Sequence, residues 1–77
     1  MKLDFKAIGS RIRGARKGQN VTIRELADKL GYSTSFIGHV ERGECKANVE
    51  ALFTLCTALD ISMDELLKRA IVDDNVA

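Results

Sequence analysis

The stretch TIRELADKLGYSTSFIGHVERG, residues 22–43, decides the fold. It contains two short segments in which apolar residues recur at intervals of three and four, the helical period. Thr22 precedes the first segment and Glu25 follows three residues later, which predicts a capping box at a helix start. Gly31 ends that helix, since glycine adopts the left-handed conformation common after a helix, and Ser33 caps the next one.

The connection between these two helices is only a few residues long and contains Gly31. Ala27, four residues earlier, is small enough to let the helices approach closely, and the second helix is predicted to end at Gly43. A short glycine-containing turn between two helices is typical of a helix-turn-helix unit, which we assign to about residues 22–42. Because many helical bundles contain tight turns, the flanking sequence has to support this assignment.

The flanking sequence continues the helical period, with no proline and little of the alternation typical of strands. Three further helices are predicted to begin at Asp4, Asn48 and Ser62, and Glu65 gives the last of them a second capping box. The chain is therefore predicted to be an all-α, compact five-helix bundle. Its inward stripes are Phe5, Ile8, Ile12 and Ala15; Leu26, Ala27 and Leu30; Ile37 and Val40; Leu52, Leu55, Cys56 and Leu59; and Met63, Leu66, Leu67, Ala70 and Ile71.

Length and composition indicate one domain of ordinary globular character. The 77 residues are 45% hydrophobic and 30% charged, and we place the domain at residues 4–71 with a frayed tail at 72–77. No apolar run could span a bilayer and no secretory signal is visible, so we expect a cytoplasmic protein with no membrane partner. One histidine and two scattered cysteines, Cys45 and Cys56, predict no metal site, cofactor or enzymatic activity.

Charge is unevenly distributed, although the net charge is only +1. A basic end suits a polyanion such as DNA, while a solvated helix face would give the same composition. The first twenty residues set Lys2, Lys6, Arg11, Arg13, Arg16 and Lys17 against Asp4, whereas from residue 51 onward Asp60, Asp64, Glu65, Asp73 and Asp74 outnumber Lys68 and Arg69.

The chain from Ile8 to Leu67 resembles the Cro/C1-type, lambda-repressor-like helix-turn-helix family of phage repressors and bacterial regulators. The resemblance implies a sequence-specific transcriptional regulator that binds double-stranded DNA. The motifs that carry it are IRGAR (12–16), TIRELADKLG (22–31), FIGHVERG (36–43) and LCTALDISMDELL (55–67).

In this family the third helix lies in the major groove and reads base edges near its start. The matching positions are Thr34, Ser35, Gly38 and His39, whose hydroxyl and imidazole groups can hydrogen-bond to bases. Thr34 and Ser35 would also suit the first turn of any helix, and His39 an ordinary surface. Gly38 is explained either by close approach to DNA or by close packing against another helix.

Contacts to the DNA backbone should flank the reading helix. The resemblance places them at Thr22, Arg42, Lys46 and the backbone amides that begin the second helix, where unpaired N–H groups attract anions. Arg24, Arg13 and Lys17 are further candidates that could equally be solvated. Phe36 is predicted either to lie against the sugar-phosphate edge or to pack beside the second helix.

Two further sets of residues have structural roles in the family. An arginine of the first helix pairs with the glutamate of the third, which here implies a salt bridge between Arg16 and Glu41. Family members often form homodimers through the fifth helix, and the corresponding surface is predicted to comprise Met63, Leu67, Ala70 and Ile71.

The chain departs from the family at three positions. Ile23 replaces a glutamine that contacts phosphate, Glu44 stands where basic residues are common, and Ala47 replaces a proline. We therefore keep two hypotheses: a regulator, most simply a repressor, that binds a partly symmetric operator as a homodimer, and a protein-interaction module that kept the bundle without DNA affinity. Ile23 and Glu44 favour the second, whereas the basic first helix favours the first.

Overall fold

The computed structural model describes residues 2–72 and contains five helices between two short strands. In chain order the elements are β1 (Lys2–Leu3), α1 (Phe5–Gly18), α2 (Ile23–Leu30), α3 (Thr34–Glu41), α4 (Val49–Leu59), α5 (Met63–Ala70) and β2 (Ile71–Val72). Each helix begins after a predicted cap whose side chain accepts a hydrogen bond from an amide of the first turn: Asp4, Thr22, Ser33, Asn48 and Ser62. The predicted bundle is confirmed.

The predicted inward stripes form most of the hydrophobic core. Ile12, Ile37, Leu55 and Leu66 are fully buried, and Cys56 is buried as a free thiol. Burial raises the pKa of the Cys56 thiol, so it remains protonated and behaves as a small apolar side chain. No helix within the described residues is both long and apolar enough to cross a membrane.

Two short strands, which the sequence did not predict, lie at the two ends of the domain. β1 and β2 pair antiparallel, with Lys2 opposite Val72 and Leu3 opposite Ile71. The fifth helix was predicted to reach Ile71, but it ends at Ala70, whose carbonyl accepts a hydrogen bond from Asp4 N at 2.7 Å. The β-branched Ile71 then continues in extended backbone. The predicted tail therefore begins one residue too early, and residues 73–77 lie outside the described part of the chain.

The second capping box is only half formed. Ser62 Oγ accepts a hydrogen bond from Glu65 N at 3.3 Å, as predicted. The Glu65 carboxylate, however, lies 3.6 Å from Arg69 Nε, one turn further along α5. Because a glutamate pairs favourably with an arginine four residues later, this ion pair competes with the reciprocal half of the box.

Gly9 sets how closely α1 packs against the end of α3. A Cβ at this position would lie 2.1 Å from Val40 O and 2.5 Å from Glu41 O. Only glycine lets the α1 backbone approach these carbonyls, and this contact fixes the position of α3 on the bundle.

Candidate nucleic-acid interface

The exposed surface of α3 begins at its first turn. Ser33 Oγ caps the helix by accepting a hydrogen bond from Phe36 N at 3.0 Å, so the hydroxyls of Thr34 and Ser35 are not used for capping. Both residues are exposed, and so is His39. Ser35 and His39 lie four residues apart and therefore share one face of the helix. A major groove could receive all three side chains.

Gly38, the fourth predicted base-reading residue, lies differently. It is buried, and a Cβ at this position would lie 3.0 Å from the Nη1 atom of Arg42. Its nearest neighbour is the Arg42 side chain, folded back along α3, rather than an atom of another helix. Arg42 occupies the space beside Gly38, and the base-reading role of Gly38 stays a prediction that requires Arg42 to move.

An open depression joins the start of α3 to α1 and α2. Thr34 shares it with Thr22, Arg24 and Lys17, so the predicted backbone contacts Thr22 and Arg24 lie beside the first of the predicted reading residues. Three elements thus bring two cations and two hydroxyls to one surface. A phosphodiester beside the reading helix would find both charge and hydrogen-bond donors here.

The capping box of α2 uses two of the amides at that helix start. Thr22 N donates to Glu25 Oε1 and Glu25 N donates to Thr22 Oγ1, both at 3.0 Å. These hydrogen bonds hold the pKa of Glu25 below its usual value. Of the backbone amides predicted to bind phosphate at the start of α2, those of Ile23 and Arg24 therefore remain available to an anion.

Arg42 and His39 meet an acid at the other end of α3. Arg42 Nε donates to Glu44 Oε1 at 3.0 Å, and His39 Nε2 lies 4.0 Å from the same oxygen. The three side chains are about half exposed. Lys46 is exposed and lies beside β1 and the start of α1, in a depression with Lys2, Leu3 and Phe5.

Arg16 and Glu41 form a buried, bidentate ion pair between α1 and α3. Arg16 Nε and Nη2 donate to the two Glu41 oxygens at 2.6 and 3.1 Å, and Nη1 donates to Val21 O at 2.8 Å. Each residue is only 7% exposed. The hydrogen bond to Glu41 raises the pKa of Arg16 despite the opposing desolvation. The pair anchors α3 against α1 and also holds the backbone that leads into α2.

Phe36 and Ile23 face the bundle more than the solvent. The Phe36 ring is half-buried, with its centroid 5.0 Å from that of Tyr32. Phe36 therefore packs against the turn that follows α2, which is close to its predicted packing beside the second helix, and contact with the sugar-phosphate edge stays a prediction. Ile23 is half-buried against the core, which gives the residue in the glutamine position an apolar role.

The predicted dimer surface is divided by the structure. Met63 and Leu67 are half-buried, and Ile71 is exposed on β2. Ala70 is 1% exposed, so its place on that surface is corrected to the core. It lies at the end of α5, four residues after Leu66 and on the same inward stripe.

Lys6 was not singled out as a contact residue by sequence reasoning. Gly43 packs directly on its backbone, and its side chain lines a depression with Arg13, Arg42 and Glu44. The seven-residue spacing of Lys6 and Arg13 places both residues on one face of α1, and this spacing was the sequence feature that could have identified Lys6 as a candidate contact. Within residues 2–72, no three His, Cys, Asp or Glu side chains are grouped as a metal site would require.

Comparisons with known proteins agree with the helical fold. A helix-turn-helix family model matches residues 12–66. The transcriptional regulator ClgR of Mycobacterium tuberculosis is 34% identical over 62 residues, which are 80% of this chain and 55% of ClgR. The cryptic phage CTXphi transcriptional repressor RstR of Vibrio cholerae is 37% identical over 68 residues, 88% of this chain and 61% of RstR.

Among solved structures, the restriction-modification controller protein C.AhdI of Aeromonas hydrophila superposes with a TM-score of 0.75. It is 35% identical, and the match covers 82% of this chain and 96% of C.AhdI. By contrast, the chain spans little more than half the length of the curated relatives named above.

Proposed function

Because the chain belongs to the Cro/C1-type helix-turn-helix family, we propose that it is a sequence-specific, DNA-binding transcriptional regulator that represses from a partly symmetric operator as a homodimer. It would act in the cytoplasm by occupying DNA, without catalysing a reaction. The observation that carries the proposal is the exposed first turn of α3, where Thr34 and Ser35 do not cap the helix and Lys17 and Arg24 line the same depression as Thr34.

Base reading is assigned to Thr34, Ser35 and His39, and backbone contact to Thr22, Arg24, Arg42 and Lys46. None of the three reading residues makes the bidentate contacts by which arginine selects guanine or glutamine selects adenine. Discrimination in each half-site would therefore be modest. Two symmetric half-sites and the deformability of the DNA between them would supply the remaining specificity.

Repression is the mode that the relatives support, since RstR is a transcriptional repressor. A phage repressor and a restriction-modification controller protein both resemble the chain. The kind of regulator within the family is therefore left open in the proposal.

The test is a selection from a random pool of DNA duplexes at low and at moderate salt, followed by sequencing of the bound fraction. An enriched inverted repeat with half-sites about 34 Å apart, one DNA turn, would support a dimeric regulator. Enrichment of no sequence, with binding lost steeply as salt rises, would reduce the function to electrostatic association with DNA.

A protein-interaction module is the second candidate, and one observation favours it. Val49 and Phe53, one turn apart on α4, are 71% and 60% exposed. Absence of DNA binding even at low salt would support this candidate. Sedimentation of the chain alone and with DNA measures the proposed homodimer in the same samples.

A further inference from the structure

The end of α3 holds Glu44 in a fixed place. Glu44 N donates to His39 O at 2.9 Å and Gly43 N donates to Val40 O at 3.1 Å, with Gly43 in the left-handed conformation at φ +71°. This is the hydrogen-bond pattern of a Schellman motif. Gly43 also packs so closely on Lys6 that a Cβ would lie 2.6 Å from Lys6 Cα. The backbone that carries Glu44 is therefore fixed to both α3 and α1.

From this position the Glu44 carboxylate faces two groups assigned to DNA. Its Oε1 accepts from Arg42 Nε at 3.0 Å and lies 4.0 Å from His39 Nε2. Arg42 bends back to this contact across Gly38, where a side chain would crowd Nη1 at 3.0 Å. Glycine at position 38 and the acid at position 44 thus favour the same folded-back arginine conformation.

We propose that Glu44 is a positioning residue that competes with a DNA phosphate for Arg42 and thereby lowers the affinity of the domain for DNA. The inference rests on the proposed DNA-binding function and specifies how one of its contacts is controlled. A phosphate that approaches Arg42 has to displace a carboxylate already hydrogen-bonded to it. The displaced carboxylate stays nearby, because the Schellman motif fixes its backbone, and it then repels the phosphate.

The experiment compares wild type with Glu44→Gln, Arg42→Gln and the double variant on a duplex of random sequence at several salt concentrations. Glutamine keeps the size of the side chain and removes its charge, and the Schellman motif uses only backbone atoms. The variants should therefore remain folded, with melting temperatures within a few degrees of wild type, which circular dichroism checks.

We expect Glu44→Gln to bind about three- to tenfold more tightly at low salt, the range that an exposed ion pair and one nearby like charge can produce. The slope of log K against log salt should steepen by about 0.9, the value for one additional neutralised phosphate. Both changes should be clearly smaller in the Arg42→Gln background, because the competition requires Arg42 and only the repulsion between Glu44 and the phosphate remains there.

Asp60→Asn is the matched control for net charge. Asp60 follows α4 in the left-handed conformation, which asparagine also tolerates. Glu44 and Asp60 lie near opposite ends of α1. Gly43, which precedes Glu44, packs on Lys6, whereas the carbonyl of Leu59, which precedes Asp60, accepts a hydrogen bond from Gln19 Nε2. At 1.5 Å per residue, those ends of α1 are about 20 Å apart.

An equal gain in Asp60→Asn, or a gain in Glu44→Gln that is undiminished without Arg42, would show a general charge effect and overturn the competition. Wild-type affinity and slope in Glu44→Gln would overturn it while leaving DNA binding intact. If neither wild type nor Glu44→Gln binds at low salt, the proposed DNA-binding function itself is wrong and the competition is wrong with it.

Discussion

Gly9 lies at the α1–α3 interface and Gly38 lies on α3. Both positions lack a side chain, but the atoms that a side chain would meet are of different kinds. Gly9 faces backbone carbonyls of α3, whereas Gly38 faces the end of the flexible Arg42 side chain. Backbone in a packed core cannot move without disturbing its helix, while an exposed arginine can adopt another rotamer. Substitution by alanine should therefore have opposite effects at the two sites.

Gly9→Ala is expected to destabilise the domain by about 3 kcal/mol or more, at the upper end of overpacking effects, because its Cβ would meet Val40 O at 2.1 Å. Urea unfolding followed by circular dichroism measures this loss. Gly14→Ala is the control, since it adds the same methyl to α1 with no heavy atom within 4 Å. Equal stability of the two variants would contradict the close α1–α3 packing.

Gly38→Ala is expected to stabilise α3 by up to about 1 kcal/mol, the helix-propensity advantage of alanine over glycine. In a domain of this size that is roughly a 4–8 °C rise in melting temperature. The gain requires Arg42 Nη1, 3.0 Å from the new Cβ, to move by a few tenths of an ångström. A lower melting temperature would show that the arginine is held rigidly.

Glu41→Gln removes one charge from the buried Arg16–Glu41 pair, and its effect on stability can be compared with the loss of the exposed Arg42–Glu44 pair. We expect a loss of about 3 kcal/mol, because Arg16 would keep its charge at 7% exposure without a charged partner. Glu44→Gln removes the same charge from an exposed pair and should change stability by less than about 1 kcal/mol. Chemical denaturation of both variants gives the comparison, and similar losses would mean that burial does not strengthen the first pair.

The sequence predicted this ion pair through family resemblance but not the partners of Glu44 and Gly38. The sequence shows an acid at position 44 where basic residues are common in the family, which follows from the residue type alone. That it binds Arg42 depends on the path of the chain after Gly43 and on a side-chain rotamer, and neither is encoded by local spacing.

At the scale of single elements, the start of α2 gives a pH-dependent prediction. Hydrogen bonding to the backbone amide and the hydroxyl of Thr22 lowers the pKa of Glu25 in the folded state. A lowered pKa stabilises the folded state above the ordinary glutamate value of about 4.3, and this contribution disappears as the pH falls through the lower folded value. Wild type should therefore be more stable than Glu25→Gln at neutral pH.

The difference in stability between wild type and Glu25→Gln should shrink below about pH 4, because the Glu25 carboxylate then becomes protonated and is neutral, as glutamine is. Thermal unfolding of both between neutral and acidic pH measures it. A difference that stays constant through this range would show that the carboxylate charge does not contribute to the capping box.

Helix starts were predictable because a cap is a local interaction: Thr22 with Glu25 and Ser33 with Phe36 lie only three residues apart. The strands were not, because two residues are too few to show alternation. Leu3 and Ile71 pair only after the bundle has brought the two ends of the domain together. The second capping box was also predicted incompletely. The Glu65 carboxylate can pair with the Ser62 amide or with Arg69, and the sequence alone does not show which partner it binds.

At the scale of the whole molecule, two apolar surfaces compete for the role of dimer interface. The first comprises Met63 and Leu67 on α5 with Ile71 on β2, and the second comprises Val49 and Phe53 on α4. The second is the more exposed, whereas the first corresponds to the fifth-helix surface implied by family resemblance. Exposure of apolar area indicates an interface without identifying which surface is used.

We predict that Ile71→Lys weakens dimerisation and operator binding together, because the two half-sites of an inverted repeat require paired reading helices. Ile71 is 43% exposed, so a lysine can be accommodated in the monomer with its charge in solvent. Phe53→Ser removes more exposed apolar surface from α4 and should leave both properties unchanged. Sedimentation velocity measures the dimer, and titration of duplexes with one or two half-sites measures cooperative binding. Dissociation by Phe53→Ser but not by Ile71→Lys would place the dimer interface on α4, and the spacing of the two reading helices would then have to be derived from that contact instead.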